Sequence, residues 1–249
     1  MAKKTLAVAS NKGGVGKTTI AINVASIWGS SNKVLLVDLD PQRNSTMGVG
    51  LKSTPENTVA EVLQGKCKAS DAIVSTGFGS LYIMPSSVRL ASLETEDLKL
   101  YKLADALASV EHKYDTIVID CPPSLGRLTI NGLVASDRLL VPVKPGLFSL
   151  AGLQQVFGLV DALKNNRMNR NLKVLGLVYN EAPLRTNAFK LIDADLRDHY
   201  GKMLLSSFIP SNIKIVESQM QGKPINYYDT NSTGYLAFSV LAAELLRKW

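Results

Sequence analysis

Cysteine and histidine are scarce in this chain of 249 residues, which has two of each. Cys67 and Cys121 stand far apart, in neither a CxxC nor a zinc-ligand spacing, so nothing builds a redox pair or a zinc site, and a reducing cytoplasm fits best. With only His112 and His199 available, a histidine metal centre or a Ser-His-Asp hydrolase has little material. Long apolar runs are also missing, since none approaches the roughly 18 residues that span a bilayer. The N-terminus, with Lys3 and Lys4 before apolar residues, imitates a signal peptide, but its apolar stretch stops at Asn11 and reads as a buried strand. What is present, 46% hydrophobic and 20% charged residues, is the composition of an ordinary soluble globular protein. The excess of 28 Lys and Arg over 21 Asp and Glu gives a formal charge of +7. That charge points to a polyanionic partner such as nucleic acid, nucleotide or anionic lipid, with a merely solvated basic surface as the plain alternative.

Short runs rich in Val, Ile and Leu alternate with longer segments of helical period, as when parallel strands are covered on both faces. The strands are expected at Thr5 to Ser10, Lys33 to Asp38, Leu81 to Pro85, Thr116 to Asp120, Arg138 to Val143, Leu172 to Tyr179 and Leu204 to Ile209. Helices are expected at Lys17 to Ser30, Leu93 to Glu111, Leu128 to Ala135, Leu150 to Asn165, Ala188 to His199 and Gly234 to Lys248. The stretch Gly48 to Gly79 reads as a peripheral excursion with a short helix near Thr58 to Gln64. The fold class is α/β, a doubly wound, mostly parallel sheet flanked by helices, with residues 1–249 forming a single domain.

Between the first strand and first helix lies Ser10-Asn-Lys-Gly-Gly-Val-Gly-Lys-Thr-Thr19. The P-loop pattern GxxxxGK[ST] asks for glycine where this chain has Asn11, but the physics of the loop survives. Gly13, Gly14 and Gly16 permit positive φ and close approach, so the N–H groups through Val15 can wrap a phosphate at a helix N-terminus. Lys17 can bridge the β- and γ-phosphates, the Thr18 hydroxyl can bind Mg²⁺, and Thr19 continues the cradle. Two strands end in aspartate, at Asp38-Leu-Asp40-Pro-Gln and Asp120-Cys-Pro-Pro, where an open α/β sheet binds ligands. A carboxylate buried there needs a counter-charge, and Asp120 reads as the acid that holds Mg²⁺ through water, with Asp38 supporting the metal shell. Cys121 reads as a small packing residue. Asn180, ending another strand, carries an amide able to read an adenine edge.

The segment Lys12-Gly-Gly-Val-Gly-Lys-Thr18 resembles the deviant Walker A motif of the ParA/MinD family of ATPases, and the likeness runs along the whole chain. It implies a P-loop NTPase fold with ATP and Mg²⁺ as cofactors. It implies that Lys12 reaches the partner's phosphates across an ATP-sandwich homodimer, and that Asp40 of the DxDPQ motif orients or activates the attacking water. Ile209-Pro210-Ser-Asn212, followed by Glu217, matches the family's adenine-side loop, and the segments Pro41 to Met47 and Pro122 to Arg127 are the natural switches. DLDPQRN places the chain nearest the ParA/Soj branch, whose members bind double-stranded DNA non-specifically and release it when a ParB-like or adaptor protein stimulates hydrolysis. Candidate DNA contacts, chosen by charge and location, are Arg185, Lys190, Arg197, Lys202, Lys214 and Lys223. The expected place is the cytoplasm, on the nucleoid. The alternatives are a MinD-like membrane-positioning ATPase, a ParA-like ATPase carrying a protein cargo, a metal-cluster enzyme whose paired cysteines this chain lacks, and a scaffold that hydrolyses nothing. A membrane role is disfavoured because Leu236 to Trp249 reads as a core-packed helix.

Overall fold

Every residue of Val34–Asp38 and of Thr116–Asp120 is buried, as expected of parallel strands covered on both faces. The structure, a computed structural model, describes residues 4–146, 149–183 and 186–249. In chain order its elements are β1 (Lys4–Val8), α1 (Lys17–Trp28), β2 (Val34–Asp38), α2 (Asn44–Gly48), α3 (Val59–Leu63), β3 (Val74–Ser75), β4 (Leu81–Met84) and α4 (Leu90–Leu93). There follow α5 (Lys102–Ala108), β5 (Thr116–Asp120), α6 (Arg127–Val134), β6 (Arg138–Val143), α7 (Ser149–Asn165), β7 (Lys173–Asn180), α8 (Asn187–Tyr200), β8 (Leu204–Ile209), α9 (Ile213–Met220) and α10 (Thr233–Arg247).

The strands form one sheet in the order β3-β4-β2-β5-β1-β6-β7-β8, parallel throughout except for the β3–β4 pair. The two-residue pleat period divides each strand between two cores. Leu35 and Val37 of β2, with Ile117 and Ile119 of β5, enter the core covered by α3, α5, α6 and α7. Val34, Leu36 and Val118 enter the opposite core with α1 and α10. In the β2–β5 register Asp38 stands opposite Asp120, so two carboxylates emerge side by side at the carboxyl ends of adjacent strands.

The mostly parallel α/β sheet follows the expectation, with strand boundaries displaced by no more than two residues. The expected helix over Leu93 to Glu111 is broken. Among residues 94–101 the Leu98 carbonyl accepts from Arg127 Nη1 at 3.1 Å, which takes it out of the helical ladder. Three acids, Glu94, Glu96 and Asp97, also crowd that stretch and disfavour a helix. α9 was not expected, because Ile209-Pro-Ser-Asn212 reads as a turn; its apolar residues Ile213, Val216 and Met220 keep the helical period but face outward. The antiparallel β3 is two residues long, too short for alternation to register. α10 is packed in the core, and beyond it the Trp249 ring lies edge-on to Trp28, with centroids 6.5 Å apart. No helix of the described residues is long and apolar enough to cross a membrane.

Candidate functional site

Residues 10–16 must turn from the end of β1 into α1, and Gly14 (φ +69°) and Gly16 (φ +91°) take the left-handed conformations that this requires. Gly13 has no positive φ, but a Cβ there would meet nothing within 4 Å, which leaves the loop open to a ligand. At Gly16 a Cβ would collide with the Asn180 side chain, its Cγ only 2.7 Å away. Val15 is buried and anchors the loop. Lys17, 6% exposed, turns its Nζ back to donate to the Lys12 carbonyl at 2.9 Å. Burial pulls its pKa down, against the opposing pull of Asp120, Cys121 and Asp40.

Asn11, standing where the usual loop has glycine, donates through Nδ2 to Gln155 Oε1 of α7. The absence of a side chain at Gly152 makes room for this approach, since a Cβ there would lie 2.9 Å from Asn11 Oδ1 and 3.7 Å from Lys12 Cε. The departure from the motif therefore ties the loop to α7.

The two buried carboxylates meet different partners. Asp38 Oδ1 accepts from the Asp40 N–H at 3.1 Å, and its Oδ2 accepts from the Thr46 N–H at 2.8 Å and the Thr46 hydroxyl at 2.7 Å. Both oxygens are thus engaged by protein donors, and the contacts of Asp38 hold α2 in place beside the site. Asp120 Oδ2 accepts from the Ser45 hydroxyl at 2.8 Å, while Oδ1 is buried with no hydrogen-bond partner. Burial pushes both carboxyls above the usual carboxylate range, and for Asp38 the neighbouring Asp120 charge adds to it. The orphaned Oδ1, with the Thr18 hydroxyl close enough to favour the charged carboxylate, fits a bound Mg²⁺. No group of three or more His, Cys, Asp and Glu among the described residues could hold a metal alone, so such an ion needs phosphate oxygens as further ligands.

Gly13, Gly14, Gly16, Lys17, Thr18 and Thr19 line a cavity of about 450 Å³, and Asp40 faces them across it with Gln42, Asn44 and Met47. Asp40 is 6% exposed and held by the Gln42 N–H, which donates to its Oδ1 at 2.9 Å. A second cavity of about 300 Å³ brings Asn180, Pro210 and Asn212 together, and Thr19 and Gln219 line both cavities. Gln219 was not singled out from the sequence. Its Nε2 donates to Thr19 Oγ1 at 2.6 Å, and the only signal for it is its place on α9, the helix that Asn212 caps. Asn212 is the N-cap of α9, accepting from the Lys214 N–H at 2.7 Å and donating to Thr233 Oγ1 at 2.6 Å. Glu217 accepts from the Tyr228 hydroxyl at 2.7 Å.

The basic candidates are less uniform. Arg197 is paired with Asp193 at 2.8 Å and Lys214 with Glu217 at 2.8 Å, so part of their charge is neutralised locally. Lys190, Lys202 and Lys223 are exposed, and Arg185 lies outside the described residues.

The sequence profile of a family described as an AAA domain matches residues 3–174. The chain is 36% identical over 248 residues to the sporulation initiation inhibitor protein Soj of Bacillus subtilis, covering 97% of this chain and 98% of Soj. It is 34% identical over 253 residues to the chromosome partitioning protein ParA of Caulobacter vibrioides, covering 98% and 94% of the two. The crystal structure of a cobyrinic acid a,c-diamide synthase from Mycobacterium smegmatis, with bound ADP and magnesium, superposes with a TM-score of 0.85 at 32% identity and covers 100% of this chain and 96% of that one. A deviant P-loop on a parallel sheet, an acid pair at its carboxyl edge and full-length likeness to Soj and ParA make this chain a member of the ParA/Soj group of P-loop partition ATPases.

Proposed function

We propose that residues 1–249 act as one ATPase domain that dimerises around ATP, binds double-stranded DNA non-specifically as the dimer, and lets go when a partner protein stimulates hydrolysis. The observation that carries this reading is the single cavity in which the P-loop faces Asp40 and the segment 42–47. Hydrolysis needs a water placed in line with the γ-phosphate and positive charge where negative charge grows.

In this reading the loop amides and Lys17 hold the β- and γ-phosphates, Asp40 orients the attacking water, and Lys12 is offered to the partner subunit's nucleotide. Mg²⁺, when bound, neutralises phosphate charge, and Thr18 and Asp120 would hold it. Asn180 and Pro210 flank the base, while Asn212 shapes that cleft by capping α9. Asp38 fixes α2, so the segment from Asp40 to Met47 is tied to the same acids that sense the nucleotide. Exposed Lys190, Lys202 and Lys223, with residual charge from Arg197 and Lys214, supply the DNA surface, which dimerisation doubles.

The test is Asp40→Ala with ATP and Mg²⁺, followed by light scattering and by DNA binding at several salt concentrations. A dimer that holds DNA only with ATP, with affinity falling steeply as salt rises, supports the reading. A variant that binds ATP yet stays monomeric and ignores DNA at low salt defeats it.

A further inference from the structure

A further cleft, of about 640 Å³, lies away from the nucleotide cavities, and its lining includes Lys68, Lys102, Lys113, His112 and Asp105. Lys113 stands just before β5, so the cleft opens at the amino ends of the strands, the opposite end of the sheet from the P-loop. Among the described residues none of the three ammonium groups takes part in an ion pair. Asp105 is the one acid in the lining. Val62 and Val110 give it an apolar floor, both buried in the core beneath.

Three positive charges share the lining of one concavity against a single acid, and its walls focus their field into the opening. An anion seated there would meet that net positive charge. The volume lies within the range of small-ligand sites, about 300–1,000 Å³, and a duplex cannot enter a cleft of that size. Lysine acts as a point charge with three donors, suited to phosphate or carboxylate without a fixed bidentate geometry.

We infer that this cleft is a binding site for a small ligand bearing two or more phosphate or carboxylate groups, separate from the ATP site. The full chain, with its P-loop saturated by a non-hydrolysable ATP analogue and Mg²⁺, is titrated with fructose 1,6-bisphosphate and, in a second arm, with succinate, while backbone amide shifts are followed by NMR. The expected result is saturable shifts at residues 66–70 and 102–113 in one or both arms, with the P-loop signals unmoved. A response to the bisphosphate alone assigns phosphate chemistry, and a response to succinate extends it to carboxylates. Lys102→Gln combined with Lys113→Gln should weaken binding by at least about tenfold. Added sodium chloride should weaken it in the unaltered chain as well, a readout that needs no variant. No saturable shift at these residues, shifts indifferent to the double substitution and to salt, or a response there to duplex DNA alone would each overturn the inference.

Discussion

Lys17 Nζ donates to the backbone carbonyl of Lys12 at 2.9 Å, so one loop lysine is parked on the main chain of the other. An incoming phosphate can exchange that carbonyl for its own oxygens without drawing Lys17 out of its buried place. The two lysines should therefore separate in function. Lys17→Ala should abolish ATP binding in a calorimetric titration, whereas Lys12→Ala should bind ATP within about threefold of the unaltered chain but lose about 10²-fold or more in turnover. Equal losses of affinity in both variants would remove Lys12 from its proposed role across the dimer.

Gly16→Ala tests the packing of the loop. The added methyl would need a left-handed φ and would strike Asn180, which shapes the base cleft. ATP affinity should fall by at least about tenfold, and the melting temperature should fall as well, because Gly16 is half-buried and the Asn180 side chain it would strike is buried. Asn180→Ala, made in the same background, should recover part of the loss.

Thr46 stands at the centre of a buried network. Its hydroxyl donates to Asp38 at 2.7 Å and accepts from the Ser86 N–H at 2.9 Å. Thr46→Val keeps the shape, strips the Ser86 N–H of its acceptor and takes one of three donors from Asp38, whose backbone donors at Asp40 and Thr46 remain, so urea unfolding should show a loss of about 1–3 kcal/mol. Ser86→Ala removes instead a hydroxyl that donates to the Asp40 carbonyl at 2.6 Å, and should cost less, because a carbonyl keeps a second acceptor site.

Acid stability has an identifiable contributor in Glu244. Burial alone would raise its pKa. The Ser207 hydroxyl, the N–H groups of Ser206 and Ser207 and the Ser206 hydroxyl overcome that and hold it down to about 2, from 4.5. A depressed folded pKa gives stability that is fully present above pH 4.5 and is lost as the pH falls toward 2. The contribution is on the order of 2–3 kcal/mol, and thermal melts of Glu244→Gln should show a flatter pH dependence across that window. Glu61, held down to about 2 by Arg89 and Thr58 despite its burial, titrates in the same window, so some slope should remain.

Most of the sheet and the phosphate loop were legible because each rests on local pattern: buried β-branched runs for the strands, glycine spacing for the loop. The paired aspartates were legible as strand-end acids, but their division of labour was not. Nothing local to Asp38 announces that Thr46 of α2 donates twice to its Oδ2, or that Asp120 keeps one oxygen bare. Gln219 escaped for a related reason, since it joins Thr19 only when a helix with an outward apolar stripe folds back across the site. The basic surface was legible only as composition, because the ion pairs of Arg197 and Lys214 depend on turns of α8 and α9 that charge counting does not see.

β8 is the outermost strand on its side of the sheet, and the amides of Ser206 and Ser207 end on the Glu244 carboxylate of α10, at 2.9 and 2.8 Å. A free edge would offer such amides to the backbone of another molecule and invite strand-by-strand growth. Here the chain's own last helix occupies them, and the opposite edge is only the two residues of β3. At Ser206 and Ser207 the edge is therefore closed to templating a continuous ribbon of copies.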